Sequence, residues 1–210
     1  MGRVPLIDII NVIESEASVI ARSAATKQST TLAVVGPMAS GKNYICNQLE
    51  QQGWVSVDAD ILVHDAIDIA KERILDTFTP YAEKKNINIA RHDGTIDRKA
   101  LGQLLFSIPE LLTVQESIVY PIIIKQIEDF VAANEKSIIN ATVLYKTPEL
   151  LALCDKVIYV TAPFFTRLLR ALRRDKLPVT QILRRFWLQR NLLKEYHKLV
   201  PQEKIVVVKN

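Results

Sequence analysis

With 210 residues, 49% of them hydrophobic, the chain is long enough to bury a substantial core as one domain with a sub-domain. Its two cysteines and three scattered histidines exclude a disulfide framework and a His/Cys metal cluster. The formal net charge of +4 suits an anionic small molecule as well as nucleic acid and selects neither.

In chain order, residues 5–22 carry Leu6, Ile9, Ile10, Ile13, Ala17 and Ile20 at helical spacing, with Asp8, Asn11, Glu14 and Glu16 opposite. This predicts an added N-terminal helix that packs on the core or on a partner. Its acidic polar face argues against a membrane-surface helix, and the same acids argue against a secretory signal. No apolar run reaches membrane-spanning length, so the expected compartment is the cytoplasm. Residues 23–30 read as a linker, which makes 1–30 an extension and 31–210 the main domain.

Leu32-Ala33-Val34-Val35 predicts a buried parallel strand, followed by Gly36-Pro37-Met38-Ala39-Ser40-Gly41-Lys42 and a helical pattern through Ile45, Cys46 and Leu49. Strand, glycine-bounded loop ending in Gly-Lys, then helix is the phosphate-binding arrangement of P-loop proteins. Such a loop turns successive backbone N–H groups toward a phosphate, and the helix adds its positive end. Lys42 brings a full charge to the terminal phosphates of a nucleotide. The motif calls for a Mg²⁺-ligating hydroxyl after the lysine, and Asn43 stands there, whose amide oxygen is also a hard-cation ligand.

Residues 54–57 predict a second strand leading into Asp58-Ala59-Asp60. Strand alternation would put both carboxylates on one side, at the strand end where ligands bind in open α/β sheets. Either a proton acceptor for a phosphoryl-accepting hydroxyl or a helix N-cap fits this position. Residues 61–134 read as helical: one helix over 61–80, a turn over 92–96, a second helix over 97–106, a third from 108 toward Tyr120-Pro121, and a fourth over 122–134. An insertion of this size predicts a substrate-covering sub-domain, with Arg98 either meeting an anion or solvated. Further short strands fall at 137–140, 156–160 and 205–208, giving five in all and a doubly wound parallel α/β sheet. Between the last two, residues 166–198 hold ten Arg and Lys against Asp175 and Glu195. A solvated helix pair, a nucleic-acid surface and an arginine-bearing lid over phosphates compete there. The P-loop favours the lid, and few interleaved aromatics weaken nucleic-acid binding.

The motifs GPMASGK, VDADILVHD, DGTIDRKAL with a following LLF, Tyr120-Pro121, CDKVIYVTAP and RALRRD together resemble the dephospho-coenzyme A kinases, P-loop kinases related to the nucleoside monophosphate kinases. The likeness runs from Thr31 to the end of the chain. It implies a five-stranded parallel P-loop fold with a helical CoA sub-domain over about 61–134 and a basic lid over about 164–198. It further implies phosphorylation of the ribose 3′-hydroxyl of the small-molecule substrate dephospho-CoA by ATP with Mg²⁺. The implied ATP loop runs from Gly36 through Pro37, Met38, Ala39, Ser40, Gly41, Lys42 and Asn43 to Tyr44, joined by Arg170 and Arg174. Asp60 would be the base, acting with Lys42 and Arg170, while Asp58, Asp60, His64 and Arg98 would meet the acceptor and Asn43 the metal. No nucleic-acid or membrane partner is implied, and a monomer or weak homo-oligomer is expected. Asn43, Tyr120, Asn140 and Lys146 depart from the family pattern, Asn140 and Lys146 standing where two acids are usual. A P-loop kinase for another nucleotide or small alcohol, and a nucleotide- or CoA-binding module without catalysis, are the alternatives.

Overall fold

The computed structural model describes residues 29–174 and 177–210. The expected helix over 5–22 lies outside these residues, as do Asp175 and Lys176. The described chain divides into two compact units, one made of residues up to 58 together with 127–210 and the other of 59–126.

The first unit is built on a five-stranded parallel sheet: β1 (Thr30–Val35), β2 (Val55–Asp58), β3 (Lys136–Ala141), β4 (Lys156–Thr161) and β5 (Ile205–Lys209). The spatial order β2-β3-β1-β4-β5 puts β1 in the middle. A middle strand flanked on both faces needs a continuous apolar run, and Leu32 through Val35 are all fully buried. Helix α1 (Lys42–Glu50) lays Ile45, Cys46 and Leu49 into the same core as Leu32, Val34, Ile138, Ile158, Val160 and Val208. Burial pushes both thiols, Cys46 and Cys154, up to about 12. Asp155 ties the bottom of the sheet, its carboxylate accepting from Thr31 N at 2.8 Å while its own N–H donates to Thr31 O at 2.9 Å.

The second unit begins with α2 (Ala59–Ile69) and α3 (Lys71–Lys84), followed by α4 (Arg98–Ser107) and most of α5 (Glu110–Ala133). Its own apolar core includes Ile74, Phe78, Leu101 and Leu104, each at most 1% exposed. The single helix expected over 61–80 is two helices separated at Ala70, whose φ of −86° and ψ of 15° leave the helical well. Neither glycine nor proline marks that break, so the apolar spacing runs through it unchanged. Pro80 does not end α3 as expected. The helix runs four residues further, to Lys84, and an αL turn follows at Asn86, where Asn86 N and Ile87 N donate to Glu83 O and Ala82 O.

Pro121 likewise does not divide two helices, for α5 runs 24 residues through it. Proline removes one backbone bond and crowds the preceding turn, but Ile118 and Val119 before it and Ile123 and Ile127 after it are all buried. Apolar burial on both sides holds the helix together. The expected turn at 92–96 is present, with Asp93 accepting from Thr95 and an antiparallel bridge between Ala90 and Ile96. Asp97 caps α4 rather than opening it, its carboxylate accepting from Lys99 N and Ala100 N.

Back in the first unit, α6 (Pro148–Ala152) precedes β4, and α7 (Phe164–Arg174), α8 (Val179–Leu188) and α9 (Leu192–Leu199) link β4 to β5. Among the described residues no helix is long and apolar enough to cross a membrane.

Candidate active site

The loop from β1 to α1 is shaped by three residues with positive φ: Gly36 at 149°, Ala39 at 60° and Gly41 at 101°. At Gly36 the backbone passes so close to β4 that a Cβ would lie 2.1 Å from Val160 O, so glycine is required there. Helix α1 then starts at Lys42 with no side chain capping it and no acid in its first turn. Its first N–H groups and the positive end of its dipole are therefore left for an anion. The Lys42 ammonium donates to Gly36 O at 3.2 Å and to Thr142 Oγ1 at 3.1 Å, which draws it back across its own loop. Thr142 is itself held through its carbonyl, which accepts from Tyr196 OH of α9 at 3.2 Å.

The basic helices hold the loop from outside. Arg167 Nε donates to Met38 O at 2.9 Å, and Arg170 Nη1 to Ser40 O at 3.3 Å. Asn210 Nδ2 also donates to Ser40 O, at 3.1 Å, and Gln189 Oε1 accepts from Met38 N at 2.7 Å. Met38, Ala171, Ile182 and Phe186 form a small apolar cluster that fixes α7 and α8 to the loop. The Arg167 guanidinium stacks 4.1 Å from the Phe186 ring centre, and burial draws its pKa below the usual arginine range. A cleft of about 670 Å³ opens beside these groups, lined by residues 39–44 together with Arg170, Arg173, Arg174 and Asn210. That is within the roughly 300–1,000 Å³ typical of small-molecule sites.

Behind Lys42, three polar side chains meet. Asn140 Nδ2 donates to Asn43 Oδ1 at 3.1 Å and to Asp58 Oδ2 at 3.1 Å. Asn140 is 4% exposed, and its Oδ1 is buried without a hydrogen-bond partner. The Ser40 hydroxyl is in the same condition. Among the described residues no three His, Cys, Asp or Glu side chains gather as a metal site.

Of the residues singled out in the sequence, Gly36 through Tyr44, Asp58, Arg170 and Arg174 belong to the first unit, and Asp60, His64 and Arg98 to the second. The strand alternation expected to align Asp58 with Asp60 does not apply. β2 ends at Asp58, and Asp60 is an exposed residue in the first turn of α2. Arg98 is paired with the Asp68 carboxylate, and its guanidinium also approaches His64 O at 3.5 Å. Gln189, Thr142 and Asn210 were not singled out in the sequence. Each acts on the loop from more than ninety positions away, and nothing local marks them.

A strand, a glycine-turned loop, an uncapped helix start and a lysine, set on a parallel sheet of this order, define a P-loop kinase. The family model described as dephospho-CoA kinase matches residues 30–201. The dephospho-CoA kinase of Treponema denticola is 35% identical over 192 residues, covering 89% of this chain and 84% of that protein. That of Treponema pallidum is 34% identical over 164 residues, 76% of this chain and 77% of that protein. The solved dephospho-CoA kinase from Campylobacter jejuni shares the fold, with a TM-score of 0.56 at 24% identity over 87% of this chain and 88% of its own. This chain belongs to the dephospho-CoA kinase family, a family of phosphotransferases.

Proposed function

We propose that the chain transfers the γ-phosphoryl group of ATP to the ribose 3′-hydroxyl of dephospho-CoA, releasing ADP and CoA. The observation that carries this reading is the cleft that gathers the open start of α1, Lys42 and the guanidinium-bearing residues Arg170 and Arg174. Family membership supplies the acceptor.

The loop amides from Ala39 to Asn43 bind the nucleotide phosphates, and Tyr44 completes the wall. Lys42 exchanges its Gly36 and Thr142 contacts for phosphate oxygens and follows the negative charge as it spreads over the transferring group. Arg170 and Arg174 neutralise the same charge from the basic segment, and the segment's closing excludes water that would otherwise hydrolyse ATP. The acceptor oxygen attacks the γ-phosphorus, the bond to the β-phosphate oxygen breaks, and the hydroxyl proton passes to the Asp60 carboxylate. Support for Asp60 is its place in the VDAD segment after β2, and Asp58 orients the acceptor beside it. Residues 59–126 receive the CoA portion, where Arg98 and His64 meet the acceptor; an anionic group there exchanges with Asp68 for the Arg98 guanidinium.

Mg²⁺ fits the donor chemistry beside the loop: the oxygens of Asn43 and Asp58 are hard ligands, and the buried Asn140 Oδ1 has no partner. When bound there with ATP it supplies charge that lowers repulsion among the phosphates. The test is ADP formation followed with and without dephospho-CoA. Acceptor-dependent ADP release is expected, lost in Asp60→Asn and Lys42→Ala variants whose circular dichroism is unchanged. Turnover on a nucleoside monophosphate but none on dephospho-CoA would replace the acceptor. Tight ATP binding with no transfer under any divalent cation would replace catalysis with binding.

A further inference from the structure

We propose that Asn140 is a positioning residue whose carboxamide ties Asp58 to Asn43 in the nucleotide-free protein, so that the divalent cation binds only together with nucleotide. The identity of that nucleotide rests on the kinase reading above, but the tie itself does not.

Asn140 is paired in register with Asp58 on β2 and with Val34 on β1. In a parallel sheet, residues in register project from the same face, so the 140 and 58 side chains are neighbours by construction. A carboxamide nitrogen carries two protons, and the two acceptors at 3.1 Å, Asp58 Oδ2 and Asn43 Oδ1, take one each. Both neighbours are oxygens that cannot donate in the ionised or amide form, so the nitrogen must face them. This fixes the amide orientation and leaves Oδ1 as the buried atom without a partner. The NH₂ group thereby stands between the carboxylate and the loop amide, where a cation would otherwise draw the same two oxygens together.

The consequence is that the Asp58 and Asn43 oxygens are already engaged without metal, while Asn140 Oδ1 is left without a partner. A cation approaching the empty loop meets one carboxylate already bound to an amide, and must break that bond without phosphate oxygens to compensate. Once a nucleotide is present its phosphates complete the shell, because Mg²⁺ is ordinarily held by one or two carboxylates with substrate phosphates. The residues at 43 and 140 therefore act as a pair although they lie 97 positions apart.

The experiment uses the full chain without nucleotide and follows its melting midpoint with and without millimolar Mg²⁺. The wild-type midpoint is expected to move by less than about 1 °C when the cation is added. Asn140→Asp sets two carboxylates in register, so its midpoint is expected to fall by about 5 °C and to recover most of that loss with Mg²⁺. A wild-type midpoint that rises with Mg²⁺ as much as that of Asn140→Asp overturns the proposal, and so does an Asn140→Asp midpoint indifferent to the cation. Should Asn140→Asp fail to fold, the cycle of Asn140→Ala, Asn43→Ala and the double variant decides. Loss of one shared tie predicts that the double variant melts no lower than Asn140→Ala alone, and additive losses overturn it. None of these readings needs a phosphoryl acceptor, so a wrong acceptor and a wrong tie give different results.

Discussion

Replacing Gly36 by alanine tests whether the loop is set by its passage over β4. The added Cβ would stand 2.1 Å from Val160 O, where an unstrained carbon–oxygen contact needs roughly 3.3 Å, so about 1 Å of backbone movement is required. The obstacle is main chain rather than a side chain able to swing aside, and Val160 is paired with Val208 on β5. Overpacking of this kind costs about 1–3 kcal/mol, and the φ of 149° adds a conformational penalty of order 1 kcal/mol for a residue with a side chain. A total of about 2–4 kcal/mol in a chain of this length lowers the melting midpoint by about 4–16 °C. The assay is thermal unfolding by circular dichroism, paired with calorimetric titration of ADP, whose affinity should fall because the displaced loop no longer presents its amides together. Gly102→Ala is the internal control. Gly102 lies inside α4 with nothing within 4 Å of a new Cβ, so the change is expected to stabilise by about 0.5–1 kcal/mol. A Gly36→Ala protein that melts within about 1 °C of wild type and binds ADP as well would refute the reasoning.

Lys42→Ala should reduce kcat/KM by about 10²–10³-fold, as loss of one preset charge donor does, with folding retained; a rate within a factor of about three would remove Lys42 from the chemistry. Gln189→Leu leaves Met38 N without its acceptor, so ADP should dissociate faster, measured by stopped-flow fluorescence of a labelled analogue. Hydrogen bonds from Ala100 N and Lys99 N hold the Asp97 carboxylate below its usual 3.8. Its stabilising effect is thus present above that value and lost as the pH falls through the lower folded one. Asp97→Ala should melt below wild type at neutral pH and converge with it in strong acid. Cys46 and Cys154, raised to about 12, should resist iodoacetamide at pH 8 in the folded protein and react once it is denatured. Because their folded values lie above the ordinary 9.0, they favour the fold below that pH and cease to do so as the pH climbs toward 12.

The parts of the structure that sequence reasoning reached are those whose cause is local. A run of Leu32 to Val35, glycines at 36 and 41 and a lysine at 42 specify strand, turn and helix start within a dozen residues. Strands β1, β3 and β4 are legible for the same reason, since buried parallel strands carry their own apolar signature, whereas β2 and β5 at the sheet edges are marked by β-branched residues rather than by burial. The features that depart from the sequence pattern depend on packing. Pro121 reads as a boundary until the burial of Ile118 and Ile123 on either side overrides it, and Ala70 carries no sign that a helix breaks there. Alternation carried to Asp60 runs two residues past the end of β2, because the backbone turns into α2 at Ala59. At the site, Asn43 and Asn140 each look like a lone departure from a pattern, and only the fold brings them to 3.1 Å.

The grip of four side chains on the nucleotide loop has a further effect. Met38 and Ser40 are anchored through their main chain by Gln189, Arg167, Arg170 and Asn210, so the loop has little freedom left to surrender when a nucleotide arrives. Affinity is then limited by desolvation of the phosphates rather than by ordering of the polypeptide. The Met38 amide, held by Gln189, should exchange slowly before nucleotide is added, whereas the loop amides that take up phosphate oxygens should gain their protection on occupation.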